Sequence, residues 1–546
     1  MRKFKFRSVV QLANLKLSVQ SAAIVLASST LISALLGLFR DRLLNSYYLG
    51  TYPTGIDAYT AAFTIPDFMF FILTSGALAV SFIPVFNQRL ATGNKKSAWE
   101  LSSSLINLFA IITLITSALI MIFADPLIRY VVSPGLDESG MVLAINMTRV
   151  IAMNPFLFSI ATVLTSIQQA VGRFIFYAFA PAIYNIGIII GITWFTGGIN
   201  LFGVQIFEGG IMGVALGVIL GAIMQLIVAL IGLFGLGMDY EFKIYWKNQG
   251  FRSILKLLPA RSMDQGIDYI NGIVNTNLSS RMGVGAVRSF NQATTLHQMP
   301  ISLIGVAIST AFFPKLTEEL GSGDKEEFYN TFRQALRAII WIALPVTVIA
   351  FFGRGYVTSF ISNIGNNDSN GTIASILGAL CIAIFARSIF HIASRGFYAY
   401  QDTKTPFIVS IFAIGLTIAL SICFYLINWG VDGLGLAQSI GAVFEIIVLL
   451  LILQKRSENE ILNKSFFRAF ARMLFAAFIT ACVAFSMTKF IPLMATDNSL
   501  VITVPKFLLI SAVSLGAYLI ASYFLDLKEA KPVFNYIKKI LFRNAK

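Results

Sequence analysis

Residues 105–124 read LINLFAIITLITSALIMIFA, without a single charged side chain. About 20 consecutive apolar residues are enough for an α-helix to cross the ~30 Å hydrocarbon core of a membrane. Comparable runs recur at residues 21–38, 211–234, 339–352, 407–427, 436–453 and 504–525. Counting every candidate predicts about fourteen spans. The fold class that follows is all-α, a polytopic membrane helical bundle.

The composition agrees with a chain that lies mostly within a bilayer. Hydrophobic residues make up 57% of its 546 residues and charged residues only 12%, whereas a soluble protein carries about 25% charged residues. So few charges cannot cover a water-soluble surface. The first apolar run follows a basic start but lacks a clear cleavage site of small residues, so we interpret it as a retained span rather than a signal peptide.

The distribution of the +15 net charge disfavours nucleic-acid binding. Lys and Arg gather at the N-terminus, at residues 89–96, 243–252 and 455–464, and along 528–546. The loops between them, at residues 137–140, 363–371, 428–433 and 492–499, contain almost none. This alternation is the positive-inside pattern of a membrane protein with both termini cytoplasmic and an even number of spans.

Two glycine-rich segments align at one constant offset along the chain. They read GIMGVAL at residues 210–216 and GVDGLGL at residues 430–436. We interpret the match as a duplication, although convergence among glycine-rich helices would also bring small residues to helix contacts. It predicts an N-terminal lobe (1–245, spans 1–6), a C-terminal lobe (246–460, spans 7–12), and two extra spans with a basic cytoplasmic tail (461–546). Internal repeats are typical of transporters.

Charged side chains inside spans are candidate functional residues, because a charge in hydrocarbon is costly. On the seventh span Arg261, Asp264 and Asp268 recur with helical spacing and therefore share one face. That face requires a partner or a wet cavity. Two interpretations stay open: a structural ion-pair network, or a polar cavity for an anionic headgroup. The surplus of cations on the later spans favours the cavity, and arginine offers the bidentate donors that suit a diphosphate.

The sequence predicts no enzyme and no catalytic residue. It contains no GxxxxGK[ST] phosphate loop, no HExxH helix and no GxSxG elbow. The chain has two histidines, His297 and His391, and three cysteines that lie singly in apolar runs. Neither a metal site nor a disulfide framework is indicated. We expect no cofactor, and an ion gradient or the membrane potential could drive transport.

Five stretches occur in an order that is typical of one family. Gly37-Leu-Phe-Arg40-Asp41 is followed by Asp57-Ala-Tyr, then by Gly172-Arg173-Phe174 before Pro181, by Pro300, and by Asp402-Thr-Lys404-Thr-Pro406. They resemble the MurJ/MviN family of lipid II flippases, a branch of the multidrug/oligosaccharidyl-lipid/polysaccharide exporter superfamily. The resemblance covers nearly the whole chain. It marks as family-motif or gating positions Asp41, Arg173, Pro181, Pro300, Asp402, Lys404 and Pro406.

The resemblance implies two lobes around a cationic cavity, with a groove along the last two helices for an undecaprenyl tail. The substrate would be lipid II, the undecaprenyl-diphosphate-linked peptidoglycan precursor. It would move from the cytoplasmic to the outer leaflet of the bacterial plasma (inner) membrane by alternating access. The implied partners are this lipid or a similar polyprenyl-diphosphate lipid, the membrane, and cell-wall synthesis proteins. The substrate-binding residues that we expect are Arg40, Asp57, Arg261, Arg281 and Arg288.

Other arginines that the family uses are replaced here, by Ala34, Phe70 and Thr295. Arg288 lies about 10 Å along the same helix from Thr295, and we expect it to substitute. The replacements keep open a flippase for another prenyl-linked saccharide. A cation-coupled exporter is disfavoured by the two extra helices. A non-transporting scaffold of the cell-wall machinery is the alternative from a different class. Residues 407–426 contain no acid or amide, so the sodium site of some relatives is not expected.

Overall fold

Helices dominate the part of the chain that the computed structural model describes. These residues are 19–75, 78–201, 204–362, 367–457, 461–494, 497 and 499–535. They fall into two compact units, Met1–Val287 and Arg288–Lys546. The all-α membrane fold is confirmed. The lobe boundaries at residues 245 and 460, which rest on the repeat, stay a prediction.

The first unit contains ten helices among its described residues. They are α1 (Val19–Tyr48), α2 (Pro53–Ala62), α3 (Thr64–Phe70), α4 (Leu78–Ala91), α5 (Lys95–Pro126), α6 (Glu138–Ile151), α7 (Asn154–Ala170), α8 (Ile175–Thr193), α9 (Met212–Ile231) and α10 (Gln249–Ser280). A short antiparallel hairpin, β1 (Ile199–Leu201) and β2 (Val204–Phe207), joins α8 to α9 and pairs Ile199 with Phe207.

Glycines set the distance between α8 and α9. A Cβ added to Gly187 would lie 2.2 Å from the Gly221 Cα atom, and one added to Gly191 would lie 2.6 Å from the Gly217 Cα atom. Because no side chain separates the two backbones, the helices touch along their length, as small residues allow in membrane proteins.

The second unit continues with nine helices among its described residues. They are α11 (Ala286–Ile301), α12 (Ala307–Gly321), α13 (Lys325–Phe352), α14 (Arg354–Thr358), α15 (Asn367–Ala399), α16 (Lys404–Leu426), α17 (Val431–Arg456), α18 (Lys464–Phe490) and α19 (Leu500–Phe524). The first of these starts at the end of the first unit. Three π-helical stretches interrupt the helices of the two units, at Phe71–Ser75, Leu127–Val132 and Ser302–Val306.

Polar contacts tie α13 to α19 and to the turn Lys528–Ala530 that follows it. Arg337 and Glu529 form an ion pair with an Nε–Oε1 distance of 2.5 Å, and their side chains are 14% and 10% exposed. The Trp341 indole donates to the Ser522 hydroxyl at 3.1 Å. Buried residues of both C-terminal helices, among them Met473 of α18 and Tyr518 of α19, belong to the hydrophobic core of the second unit.

Twelve helical segments among the described residues are long and apolar enough to cross a membrane. The predicted count of fourteen is not confirmed. Two further helices, α1 with 30 residues and α10 with 32, are long enough but are not among the twelve. Charged residues, among them Arg252, Lys256 and Asp268, lie along α10.

Candidate functional site

Arg40 lies in a polar cluster between α1 and α8. Its Nη1 atom donates to Asn185 Oδ1 at 2.9 Å, and its Nη2 atom forms an ion pair with Asp41 Oδ1 at 3.0 Å. The Arg40 side chain is 24% exposed and that of Asp41 is 7% exposed. The guanidinium group is therefore held from two sides while part of it stays accessible.

Pro181 contributes to the position of Asn185. The proline lies inside α8, where its carbonyl accepts from Asn185 Nδ2 at 3.2 Å. The same amide nitrogen lies 3.3 Å from the Ser33 carbonyl of α1. Asn185 thus links two helices and presents its amide oxygen to Arg40. The sequence did not predict Asn185 as a partner of the arginine.

Asp57 is buried in α2, with an exposed fraction of 1%. Its Oδ2 atom accepts a hydrogen bond from the backbone amide of Gly285 at 2.6 Å. Gly285 and Gly283 both have positive φ angles, of 84° and 119°, a conformation that glycine adopts without steric cost. The carboxylate therefore holds the turn that leads from α10 into α11.

A cavity of about 200 Å³ lies beside this turn, within the first unit. Asp57 and Arg281, both predicted as substrate-binding residues, line it together. The Arg281 Nε atom donates to Asn277 Oδ1 at 3.2 Å. The other lining residues are Thr54, Gly135, Leu136, Asp137, Ser280, Gly283 and Val284. The structure thus joins an acid and a cation that are far apart in sequence.

The contact between the end of α10 and the loop after α5 closes one side of the cavity. The Gly135 amide donates to the Ser280 hydroxyl at 3.2 Å. A Cβ on Gly135 would lie 2.3 Å from the Ser280 carbonyl oxygen. Because only a glycine fits there, any side chain at this position would push the loop away from α10.

Arg288 and Arg261 were also predicted to bind substrate. Arg288 belongs to the second unit and is 4% exposed. When the Gln292 amide is oriented with its oxygen toward Arg288, that oxygen accepts hydrogen bonds from the guanidinium group at 2.7 and 2.9 Å. Thr295, about two turns farther along the helix than Arg288, is exposed. The Arg261 side chain lies outside the described residues.

An ion pair that was not predicted lies in the second unit. Arg387 Nη1 on α15 is 3.3 Å from Glu445 Oε2 on α17, and the Glu445 side chain is 2% exposed. The Ser410 hydroxyl donates to the other carboxylate oxygen at 2.6 Å. Position 445 is equivalent to Gln225 in the glycine-rich repeat. The replacement of the amide of Gln225 by a carboxylate at position 445 was the sequence signal that could have predicted this ion pair.

The remaining motif residues have structural partners or positions. Arg173 donates to the Phe234 carbonyl at 2.8 Å. Pro300 lies within α11, next to the π-helical stretch Ser302–Val306. Lys404 is the exposed first residue of α16, and Pro406 lies buried in the first turn.

Asp402 organises the start of α16. Its Oδ1 atom accepts from the Thr405 amide at 3.0 Å, and its Oδ2 atom accepts from Arg456 at 2.8 Å. Burial raises the pKa of Asp402, but hydrogen bonds from Thr405 and Arg456 outweigh burial and lower the pKa to about 2. The guanidinium group of Arg456 also lies 5.3 Å from the ring centre of Tyr400. The motif therefore joins the loop before α16 to the end of α17.

The described residues contain no group of three or more His, Cys, Asp or Glu side chains that could hold a metal ion. Both histidines lie in α-helices, and His297 contacts the Thr294 carbonyl at 2.6 Å. The polar groups of the described site are guanidinium, carboxylate and amide groups. The guanidinium groups can bind an anionic headgroup, and the carboxylate and amide groups can orient them.

Comparison with known proteins identifies the family. The family described as "Lipid II flippase MurJ" matches residues 45–505. The chain belongs to the MurJ family. Lipid II flippase MurJ of Burkholderia cenocepacia is 26% identical over 470 residues, which are 84% of this chain and 88% of that relative. The probable lipid II flippase MurJ of Buchnera aphidicola subsp. Schizaphis graminum is 25% identical over 529 residues, 96% of this chain and 99% of the relative.

Solved structures of MurJ and of its superfamily share the fold. A lipid II flippase MurJ in an inward closed conformation gives a TM-score of 0.72 at 22% identity, over 96% of this chain and 99% of that one. An inward-facing MATE family transporter of the MOP superfamily gives 0.66 at 19% identity, over 81% and 99%. The predicted MurJ resemblance is confirmed. As a member of the MurJ family, this chain is a multi-pass protein of the bacterial inner membrane. It is a transporter, not an enzyme.

Proposed function

We propose that the chain is a flippase that moves lipid II from the cytoplasmic to the outer leaflet by alternating access. The observation that carries this proposal is the MurJ family match over residues 45–505. Peptidoglycan synthesis needs this step because the precursor is built on one side of the membrane and used on the other. Cell-wall synthesis proteins that deliver or consume the lipid are the proposed protein partners.

In this proposal Arg40 binds the diphosphate, and Asn185 positions the Arg40 side chain. Asn185 and Asp41 hold the guanidinium in one orientation, which reduces the conformational entropy lost on binding. Arginine can present two parallel N–H donors to phosphate oxygens. Arg261 and Arg281 would contact the headgroup, and Arg288 would contribute only in another conformation, because its side chain is 4% exposed here.

Asp57 is proposed to stabilise one conformation of the transport cycle. Its carboxylate accepts from the Gly285 amide and so holds the turn between α10 and α11. A headgroup that engages Arg281 beside this turn would favour a different conformation of it, by the difference in its affinity for the two states. The membrane potential supplies roughly 2.3 kcal/mol per charge for each 100 mV crossed, which could bias the direction. The prenyl tail would stay in lipid along α18 and α19.

Depletion complementation tests the proposal. We expect the chain to restore growth of a bacterium depleted of its lipid II flippase. Arg40→Ala and Asp57→Ala should abolish rescue at normal expression. Arg129→Gln is the matched control, since Arg129 pairs with the exposed Glu138 at 3.1 Å. Membrane levels of every variant are measured by immunoblot.

The outcomes separate the alternatives. A scaffold would tolerate both alanine substitutions, so full rescue by Arg40→Ala and Asp57→Ala would contradict transport. Rescue by Arg288→Gln would exclude Arg288 as the replacement for the family arginine. No rescue by the parent chain, despite normal membrane levels, would favour another prenyl-linked saccharide. Phe70 stands where the family has an arginine, and it packs against Phe158 with ring centres 5.6 Å apart. This replacement of a cation by an apolar contact is the observation that keeps the second cargo open.

A further inference from the structure

The segment between α9 and α10 is fastened along α5 through its backbone. Asn107 Nδ2 of α5 donates to the Glu241 carbonyl at 2.8 Å, and the Ser104 hydroxyl accepts from the Tyr245 amide at 2.8 Å. We call residues 239–248 the strap. Because polar side chains of α5 bind the backbone of the strap, the strap lies in a fixed position along α5.

The strap lies where α5 changes from polar to apolar. Ser104 and Asn107 lie about 14 and about 18 Å along the helix from Lys95, at a rise of ~1.5 Å per residue. The stretch before Ser104 carries Lys95, Lys96 and Glu100, whereas residues 105–124 carry no charge. The strap is therefore at the level where a membrane-spanning helix leaves the headgroup layer and enters hydrocarbon.

Two large aromatic side chains of the strap face outward. Phe242 is 84% exposed and Trp246 is 55% exposed. An apolar ring in this position would be stabilised by removal from water. Aromatic residues are enriched at this depth, because their rings fit the boundary between headgroups and acyl chains.

Exposed cations accompany the two rings. Lys243, Lys247 and Arg252 are exposed, and the Arg252 Nε atom donates to the Trp246 carbonyl at 2.8 Å. The acids of the strap are Asp239 and Glu241, and the Glu241 carboxylate accepts from the Tyr245 hydroxyl. Together with Arg252 in the first turn of α10, the strap presents three cations and two acids, so this surface is complementary to anionic phosphate groups.

We propose that the strap is a binding site for anionic phospholipid headgroups. Phe242 and Trp246 insert at the edge of the hydrocarbon layer, and Lys243, Lys247 and Arg252 bind lipid phosphates. Since Asn248 accepts from the Gly250 amide and so caps α10, the bound lipids fix the level at which α10 begins. This inference is independent of the transported cargo.

Quenching of tryptophan fluorescence by brominated lipids tests the site. The full chain, Trp246→Phe and Trp429→Phe are reconstituted in vesicles of brominated phosphatidylglycerol or brominated phosphatidylcholine. The share of quenching that disappears in Trp246→Phe belongs to Trp246. We expect it to be roughly twofold larger in the anionic lipid. The matched control is Trp429, which is 54% exposed in another loop and should be quenched equally by both lipids.

A charge variant completes the test. The triple substitution Lys243→Gln, Lys247→Gln, Arg252→Gln should make quenching of Trp246 equal in the two lipids, while circular dichroism shows an unchanged helix content. Equal quenching of Trp246 in the parent chain would overturn the proposal. Absence of quenching by either lipid would also overturn it, and would assign the strap to water or to a protein partner.

Discussion

At the scale of single residues, Asp402 shows how a short motif fixes a helix start. The carboxylate caps α16 through Thr405 and pairs with Arg456. Its lowered pKa of about 2 means that the stabilisation is fully present above the pKa of an unfolded aspartate, about 3.9. That stabilisation is lost as the pH falls through the folded value.

We expect Asp402→Asn to lower the free energy of unfolding by about 1 kcal/mol, because asparagine keeps the cap but loses the ion pair. Arg456 is 35% exposed, so solvent screening limits the effect. Thermal unfolding in detergent should show a constant difference from the parent between pH 8 and 5, shrinking below about pH 4.

The matched control is Asp324→Asn, at a carboxylate that caps α13 through the Glu327 amide. Asparagine can keep that bond as well, so the change in midpoint should be smaller. A pH-independent difference for Asp402→Asn down to pH 3 would show that the ion pair contributes nothing.

At the scale of helices, the glycine contacts between α8 and α9 set the spacing of the first unit. A valine at Gly217 would place its Cβ atom 2.5 Å from the Gly191 Cα atom, and the two backbones would have to separate. Overpacking of this kind costs typically ~1–3 kcal/mol. We expect Gly217→Val to lower the unfolding midpoint and the yield of folded protein in detergent.

Gly516→Val in α19 is the corresponding control, since a Cβ at Gly516 meets no atom within 4 Å. Both variants carry the same change in helix propensity. If the two midpoints fall by the same amount, propensity rather than the α8–α9 contact explains the loss.

At the scale of the whole molecule, the alternation of basic loops predicts where each loop lies. We expect Glu208→Cys to react with a membrane-impermeant maleimide in intact cells, because the loop before α9 is predicted to be external. Thr92→Cys should react only after permeabilisation. Both positions are exposed.

The exposed native cysteines Cys423 and Cys482 are replaced by serine in this experiment. Cys381 is buried and serves as an internal test that the fold is intact, because it should stay unlabelled. The reverse labelling pattern would place both termini outside and contradict the proposed direction of transport.

The fold class and the family could be predicted from the sequence because they depend on local runs and on ordered motifs. Asp57 and Arg281 were both expected in a site, but their shared cavity requires the turn at Gly285, which is 228 residues from Asp57. One sequence contains no information on such pairings. The strap was missed for a similar reason: its basic residues were noted, but the Asn107 contacts that fix it are visible only in three dimensions.

The helix α10 illustrates why spans are difficult to count from a sequence. Length and charge give opposite answers for this helix, since its 32 residues suit a span but its charges do not. The π-helical stretch after α3, at Phe71–Ser75, is equally unpredictable, because its extra residue per turn depends on tertiary packing.

The ion pair between Arg337 and Glu529 also bears on biogenesis. The two residues are 192 positions apart, and ribosomes add roughly 5–20 residues per second. The arginine is therefore synthesised roughly 10–40 s before its partner. During that interval the nascent second unit lacks this ion pair. We therefore expect chains that terminate before residue 529 to be degraded faster than the full chain, because they lack this contact between α13 and the C-terminal segment.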